Sequence, residues 1–251
     1  MNKIKEIIRP LIIDYGKKIE NKKFNKCPII LGACPRSGTT LLLSILSAHP
    51  HIHSIKNQTY AFAKWNKKGK AERLDRLYRE LIFHKISENS TRWCEKTPKN
   101  VEFFGEILDY FQEVKLIHLI RDGRDVVTSK HPYRDPNKFW VSPERWVNNV
   151  KSALEYRDNE KVYTLFYEKL IENYQEEIDK LCHFLDEETH PNLSKWQEKA
   201  SLRKSKHWRK SVQKLHRRSI GRWKNEKYKK RIVEFYSNSE ALQLLKDLNY
   251  I

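Results

Sequence analysis

Residues 28–43 read Pro28-Ile29-Ile30-Leu31-Gly32-Ala33-Cys34-Pro35-Arg36-Ser37-Gly38-Thr39-Thr40-Leu41-Leu42-Leu43. An apolar run, a turn carrying glycine and hydroxyls, and a second apolar run spell strand, phosphate loop and helix. The start of such a helix is an anion site. Unpaired backbone N–H groups and the positive end of the helix dipole converge on the turn, and Gly32 and Gly38 are expected to let the backbone approach a phosphate closely. The expected ligand is a phosphorylated nucleotide. ATP is the weaker expectation: an ATP-type loop reads G-x-x-x-x-G-K-[ST], whereas here the interval from Gly32 to Gly38 is one residue longer and Thr39 stands where the lysine belongs.

Working outward, Pro35-Arg36-Ser37-Gly38-Thr39-Thr40 resembles the 5'-phosphosulfate loop of sulfotransferases, which use 3'-phosphoadenosine 5'-phosphosulfate (PAPS) as donor. Cys94-Glu95-Lys96-Thr97-Pro98 looks like the second-strand motif of the carbohydrate and tyrosylprotein branches. Leu119-Ile120-Arg121-Asp122-Gly123-Arg124-Asp125-Val126-Val127-Thr128-Ser129 looks like the 3'-phosphate motif. Gly221-Arg222-Trp223-Lys224-Asn225, preceded by Arg217-Arg218-Ser219, is similar to the C-terminal loop that covers the cofactor. The four stand in the family's order between Pro28 and Asn225.

The resemblance implies a P-loop-like sulfotransferase fold, PAPS as co-substrate and no metal. It assigns Arg36, Ser37, Gly38, Thr39 and Thr40 to the 5' end of the cofactor, and Arg121 with Ser129 to the 3'-phosphate. A guanidinium makes bidentate charge-assisted bonds to phosphate, and a hydroxyl adds a short neutral one. Arg217, Arg218 and Ser219 are expected to close over the same phosphate. Tyr167, at a strand-to-helix junction, is expected against the adenine. Lys96 and Arg36 are the catalytic cations expected at the transferring sulfonate, where charge builds on the equatorial oxygens. Arg124 and Asp125 read as helix-surface or helix-packing residues.

The general base departs from the family pattern. In the carbohydrate and tyrosylprotein branches a glutamate follows the His-Pro after the first helix, but here the stretch is His49-Pro50-His51-Ile52-His53-Ser54-Ile55-Lys56-Asn57-Gln58-Thr59-Tyr60. The glutamate position falls on Asn57 or Gln58, and neither amide takes a proton usefully near neutral pH. His53 is the expected substitute base, with His49 and His51 behind it.

Composition fits this frame. The 251 residues suit one α/β domain, a central parallel sheet flanked by helices, with strands read near Pro28–Leu31, Trp93–Lys96, Lys115–Ile120 and Val162–Phe166. Residues 1–26 read as a basic helical extension, with Ile4, Ile7, Ile8, Leu11 and Ile12 at helical spacing, and 27–251 as the sulfotransferase domain. Four scattered cysteines lack metal-ligand spacing and are expected reduced. No apolar run approaches the roughly 18 residues that a membrane span requires. The family's Golgi members are anchored by such a span, so a cytoplasmic enzyme is expected.

The net charge is +18, and between Lys195 and Arg231 only Glu198 and Glu226 oppose the cations. Interleaved Trp196, Trp208 and Trp223 would allow a nucleic-acid surface, but no recognition motif accompanies them. A polyanionic cofactor with an acidic acceptor explains the charge more simply. The expected activity is therefore sulfonate transfer from PAPS to a hydroxyl or amine acceptor. The alternatives are a P-loop kinase, which would need a loop lysine and a strand-terminal aspartate better than Asp122, and a PAPS- or polyanion-binding protein without catalysis.

Overall fold

The computed structural model describes residues 2–131, 138–203, 215 and 217–251. Trp208 lies outside them. Five strands, β1 Ile29–Ala33, β2 Ile52–Ser54, β3 Arg92–Lys96, β4 Lys115–Ile120 and β5 Val162–Phe166, form one parallel sheet in the order β2-β3-β1-β4-β5. Every residue of β1 and β3 is buried, as expected where helices cover both faces of a parallel sheet and alternation disappears. The helices are α1 Asn2–Lys23, α2 Thr39–Leu46, α3 Leu74–Phe83, α4 Phe104–Tyr110, α5 Gly123–Val127, α6 Pro143–Leu154, α7 Tyr167–Glu172, α8 Tyr174–Phe184, α9 Trp196–Lys199, α10 Lys229–Tyr236 and α11 Ser239–Asp247.

Strand alternation divides the core. Ile30, Trp93 and Leu116 point to the face covered by Leu77 and Tyr78 of α3 and Phe104 and Ile107 of α4. Ile29, Leu31, Cys94 and Ile117 point to the other face, against Leu42 and Leu43 of α2 and Ile178 and Leu181 of α8. Beyond the end of β4, Ile120, Val126 and Val127 pack with Trp146, Phe235 and Leu244. The helix at the N-terminus docks on this body: Glu20 of α1 accepts hydrogen bonds from the Tyr78 hydroxyl at 2.8 Å and from Trp93 Nε1 at 2.6 Å.

Two local readings change. The first strand runs past Leu31 to Ala33, so Gly32 lies inside it; a Cβ there would stand 2.6 Å from the backbone nitrogen of Val101. Gly32 therefore serves close packing of β1 on the segment after β3, and only Gly38 belongs to the loop. The edge strand β2 has three residues, too few for a periodic signal, and owes its place to pairing of His53 with Trp93.

Because all strands are parallel and β1 is central, the segments after β1, β3, β4 and β5 gather at one edge of the sheet. Ligands of doubly wound sheets bind in this crevice.

Candidate functional site

The phosphate loop, Cys34 to Gly38, turns through two left-handed residues, Arg36 at φ 77° and Gly38 at φ 103°. A side chain at Gly38 would collide with Tyr167, whose Cδ2 lies 2.5 Å from the Cβ position. The loop can thus pack against the first residue of α7 only with glycine there. Ser37 and Thr39 are buried, and Ser37 Oγ has no hydrogen-bond partner among the described residues. Burial pushes the Cys34 thiol far above its ordinary pKa, which fits a small turn residue and not a nucleophile.

Arg121 leaves the end of β4 into this crevice. Its Nη1 donates to the Arg36 carbonyl at 3.0 Å, Nη2 donates to the Ser219 carbonyl, and the guanidinium lies 4.5 Å from the centre of the Tyr167 ring. The Tyr167 hydroxyl is 2.8 Å from Ser219 Oγ. Loop, strand end, helix start and C-terminal segment therefore meet around one aromatic ring.

Ser129, after α5, is buried, and its hydroxyl donates to the Asp125 carbonyl at 2.9 Å. Asp125 is fully buried, and its carboxylate accepts the backbone N–H groups of Gly221 at 2.8 Å and Trp223 at 3.1 Å. Burial raises the Asp125 pKa, opposed by Arg121, whose Nη2 is 3.9 Å away. Asp125 is thus the anchor of the C-terminal loop, a role that its reading as a helix-packing residue missed. Arg124 makes a bidentate pair with Asp122 and stacks on Trp223, with its guanidinium carbon 4.2 Å from the ring centre.

Arg217 and Arg218 are exposed, so of the three residues expected over the phosphate only Ser219 reaches the crevice in this conformation. Arg222 takes the interior position instead: its Nη2 donates to the Asp125 carbonyl at 2.9 Å and to Ser129 Oγ. In the sequence it stood as the unspecified residue of a Gly-x-Trp motif.

Lys96 ends β3 and is buried, and desolvation lowers its ammonium pKa to about 8. Its neighbour Glu95 points to the opposite face, as strand alternation requires. There the buried carboxylate accepts from Thr59 N at 3.1 Å, Thr59 Oγ1 at 2.8 Å, Thr97 Oγ1 at 2.6 Å and Asn100 Nδ2 at 2.7 Å. Four donors on one carboxylate fix the 59–61 turn beside the loop.

That turn walls a cavity of about 270 Å³ opening from the phosphate loop, lined by Arg36, Thr39, Gln58, Tyr60, Lys99, His131, Trp140 and Arg145 among others. No carboxylate lines it among the described residues. Gln58 faces this cavity and accepts from the Tyr60 hydroxyl at 3.0 Å, whereas Asn57 donates to both carboxylate oxygens of Glu80, each at 3.1 Å.

His53 is not brought to this cavity. It lies on β2 beside Phe24, lines a separate cleft with Glu80 and His84, and has its pKa lowered to about 4 by burial and, secondarily, by His84. The register that pairs it with Trp93 sends it to the face opposite Lys96. His49 and His51 precede β2, at the other end of the sheet, where His51 Nδ1 lies 3.1 Å from Glu187. His49, His51 and Glu187 hold their ligand atoms within 4.8 Å of one another. Both nitrogens of His49 are nevertheless engaged, with the Glu188 carbonyl and the His51 N–H, and Glu187 also pairs with Lys26.

A family model described as "Sulfotransferase domain" matches residues 26–239. The protein-tyrosine sulfotransferase of Drosophila melanogaster is 26% identical over 187 residues, covering 63% of this chain and 38% of that protein. Sulfotransferase 1A1 of Rattus norvegicus is 26% identical over 193 residues, covering 62% of this chain and 59% of that protein. The chain thus spans less than two thirds of either relative. Among solved structures, a sulfotransferase domain from the curacin biosynthetic pathway superposes with a TM-score of 0.61 at 17% identity, covering 91% of this chain and 99% of the other. Mouse sulfotransferase SULT7A1 complexed with PAP superposes with a TM-score of 0.54 at 17% identity, covering 94% of each. At that identity the likeness establishes the fold.

Proposed function

The chain belongs to the sulfotransferase family, and on that premise we propose that it transfers a sulfonate group from PAPS to a hydroxyl or amine acceptor. The observation that carries the reading is the meeting of three motifs on Tyr167: Gly38 against its ring, Arg121 over its face, and Ser219 of the C-terminal segment on its hydroxyl. Buried polar atoms without partners among the described residues, Ser37 Oγ and Arg121 Nε, fit a ligand with anionic groups at both ends of a ribose. PAPS supplies the activated sulfonate and a stable leaving phosphate.

Ser37, Thr39, Thr40 and the loop N–H groups hold the 5'-phosphate. Arg121 and Ser129 take the 3'-phosphate, and Tyr167 borders the base. Lys96, protonated, and Arg36 stabilise the charge that grows on the transferring group, an interaction stronger in the transition state than in the bound donor. We assign the proton-accepting role to His131, the imidazole that lines the cavity with Arg36 and Thr39, in place of the expected His53. A cavity bordered by Arg36, Lys99 and Arg145 favours an acceptor that itself carries negative charge.

No helix among the described residues is long and apolar enough to cross a membrane. The four unpaired cysteines fit the reducing conditions of a cytoplasmic enzyme, the location we propose. The deciding experiment is incubation with PAPS and a panel of hydroxyl and amine acceptors, with sulfonated product read by mass spectrometry. A kinase would instead label acceptors from ATP and Mg.

A further inference from the structure

The helix α1 is covered on one side only. Ile12 and Ile13 pack with the core cluster that holds Leu77 and Tyr78 of α3, and Gly16 lies against the Tyr78 side chain. Ile7, Leu11 and Tyr15, spaced i, i+4 and i+8 along another face, form an apolar stripe that is 68%, 63% and 57% exposed. Ile8 beside it is exposed as well. The segment is also cationic: residues 1–26 carry eight Lys and Arg against three Asp and Glu.

Next to Ile8, four guanidiniums gather between α1 and the start of α3. Ile8, Arg9, Arg73, Arg76 and Arg79 line a cleft of about 260 Å³ together with one carboxylate, the buried Asp75. That carboxylate is already engaged. It accepts Arg73 Nε at 3.1 Å and Nη2 at 3.4 Å, and Arg79 Nε lies 3.8 Å from it. Arg9 and Arg76 make no hydrogen bond or ion pair with a described residue. Burial and, after it, the neighbouring Arg73 lower the Arg76 pKa. A cleft lined by four cations and one anion focuses a positive field, and it is short of negative charge.

We propose that this face docks on anionic phospholipid: the arginine cleft takes the phosphate of a lipid headgroup, and Ile7, Leu11 and Tyr15 enter the boundary between headgroups and acyl chains. A guanidinium fork suits phosphate, and a basic helix with an exposed apolar stripe lies in the plane of such a surface. Lys18 and Lys22, both exposed, continue the stripe's side of α1 and extend the positive field. The same charge argues against a second copy as the occupant, because a copy packed on the stripe would set one cationic helix against another. Tyr60, which walls the cavity beside the phosphate loop, is near enough to Arg76 for the two to interact electrostatically, so docking brings that cavity to the lipid surface. The proposal is independent of the PAPS reading.

The test is cosedimentation of the full chain with vesicles of phosphatidylcholine alone and of phosphatidylcholine containing about one third phosphatidylglycerol, with the folding of each variant checked by Tm. Wild-type protein should bind the anionic vesicles more tightly by roughly 30-fold or more. Arg9→Gln combined with Arg76→Gln should weaken that binding by roughly 30-fold. Lys229→Gln combined with Lys230→Gln removes the same charge from exposed positions on α10 and should change it by less than about 3-fold. Ile7→Ser combined with Leu11→Ser, which keeps every charge, should weaken it by roughly 10-fold or more. Absence of binding to anionic vesicles would overturn the proposal. Equal losses for the arginine and lysine pairs, or no loss in the Ile7 and Leu11 variant, would overturn it too, since binding would then follow net charge alone. A dimer in sedimentation velocity that the Ile7 and Leu11 changes dissociate would give the stripe to a second copy instead.

Discussion

The hydroxyl of Tyr167 lies 2.8 Å from Oγ of Ser219, 52 residues further along the chain. That contact joins the end of β5 to the C-terminal segment, and the same ring carries Arg121 over its face and packs on Gly38 of the phosphate loop. The crevice is therefore assembled around one side chain that touches the phosphate loop, the end of β4 and the C-terminal segment, so changes at its neighbours should be felt as changes in nucleotide binding.

Gly38→Ala places a methyl group 2.5 Å from the Tyr167 ring at a φ of 103°. The strain should cost roughly 1–3 kcal/mol, visible as a Tm lowered by several degrees. Affinity for adenosine 3',5'-bisphosphate should fall with it. Tyr167→Phe keeps the ring and loses only the bond to Ser219, so its cost should stay near about 1 kcal/mol. A Gly38→Ala protein with wild-type Tm and affinity would show that loop and ring are not coupled.

Lys96 makes the pH dependence specific. Burial disfavours its ammonium form and brings its pKa to about 8. Catalysis needs that form, so kcat/KM should be level below this pH and fall as pH rises through it. Stability runs the other way. Between about 8 and the ordinary lysine value near 10.4 the unfolded chain holds a proton that the folded chain has lost, so this group makes stability rise with pH across that window. Lys96→Ala should lower kcat by roughly 100-fold or more and leave PAPS affinity nearly unchanged. Lys96→Arg should push the basic limb beyond the measurable range; a limb that stays put in this variant assigns the ionisation to another group.

The histidines separate by place. His131→Ala should abolish the acid limb of kcat/KM, whereas His53→Ala should leave the profile unchanged, because His53 sits in another cleft with its pKa already lowered to about 4. Loss of the acid limb in His53→Ala alone would return the base to β2.

What the sequence revealed and what it hid follow from range. Apolar runs marked β1 and β4, since a strand buried on both faces leaves a continuous signal, whereas the charged β3, Arg92–Lys96, was legible through its motif and β5 through its β-branched and aromatic residues. The motifs themselves carried Arg121, Ser129, Lys96 and the phosphate loop. Roles fixed by distant partners were not legible: Asp125 anchors Gly221 and Trp223 from 96 and 98 residues away, and Arg222 reaches Ser129 across 93. Glu95 read only as the opposite face of a strand, because its donors at Thr59 come from a turn 36 residues earlier. His53 looked suitable by residue type and by place in line. The three-residue strand that turns it away from Lys96 has too little sequence to announce its facing.

The central claim is that the crevice is built for a nucleotide with a 3'-phosphate and not for ATP. Titration of the wild-type protein with adenosine 3',5'-bisphosphate, and separately with ATP and Mg, tests it directly. Arg121 with Ser129 at the 3'-phosphate and the absent loop lysine predict tighter binding of the bisphosphate by roughly 100-fold or more, on the order of two charged hydrogen bonds. ATP with Mg binding equally well or better would contradict it.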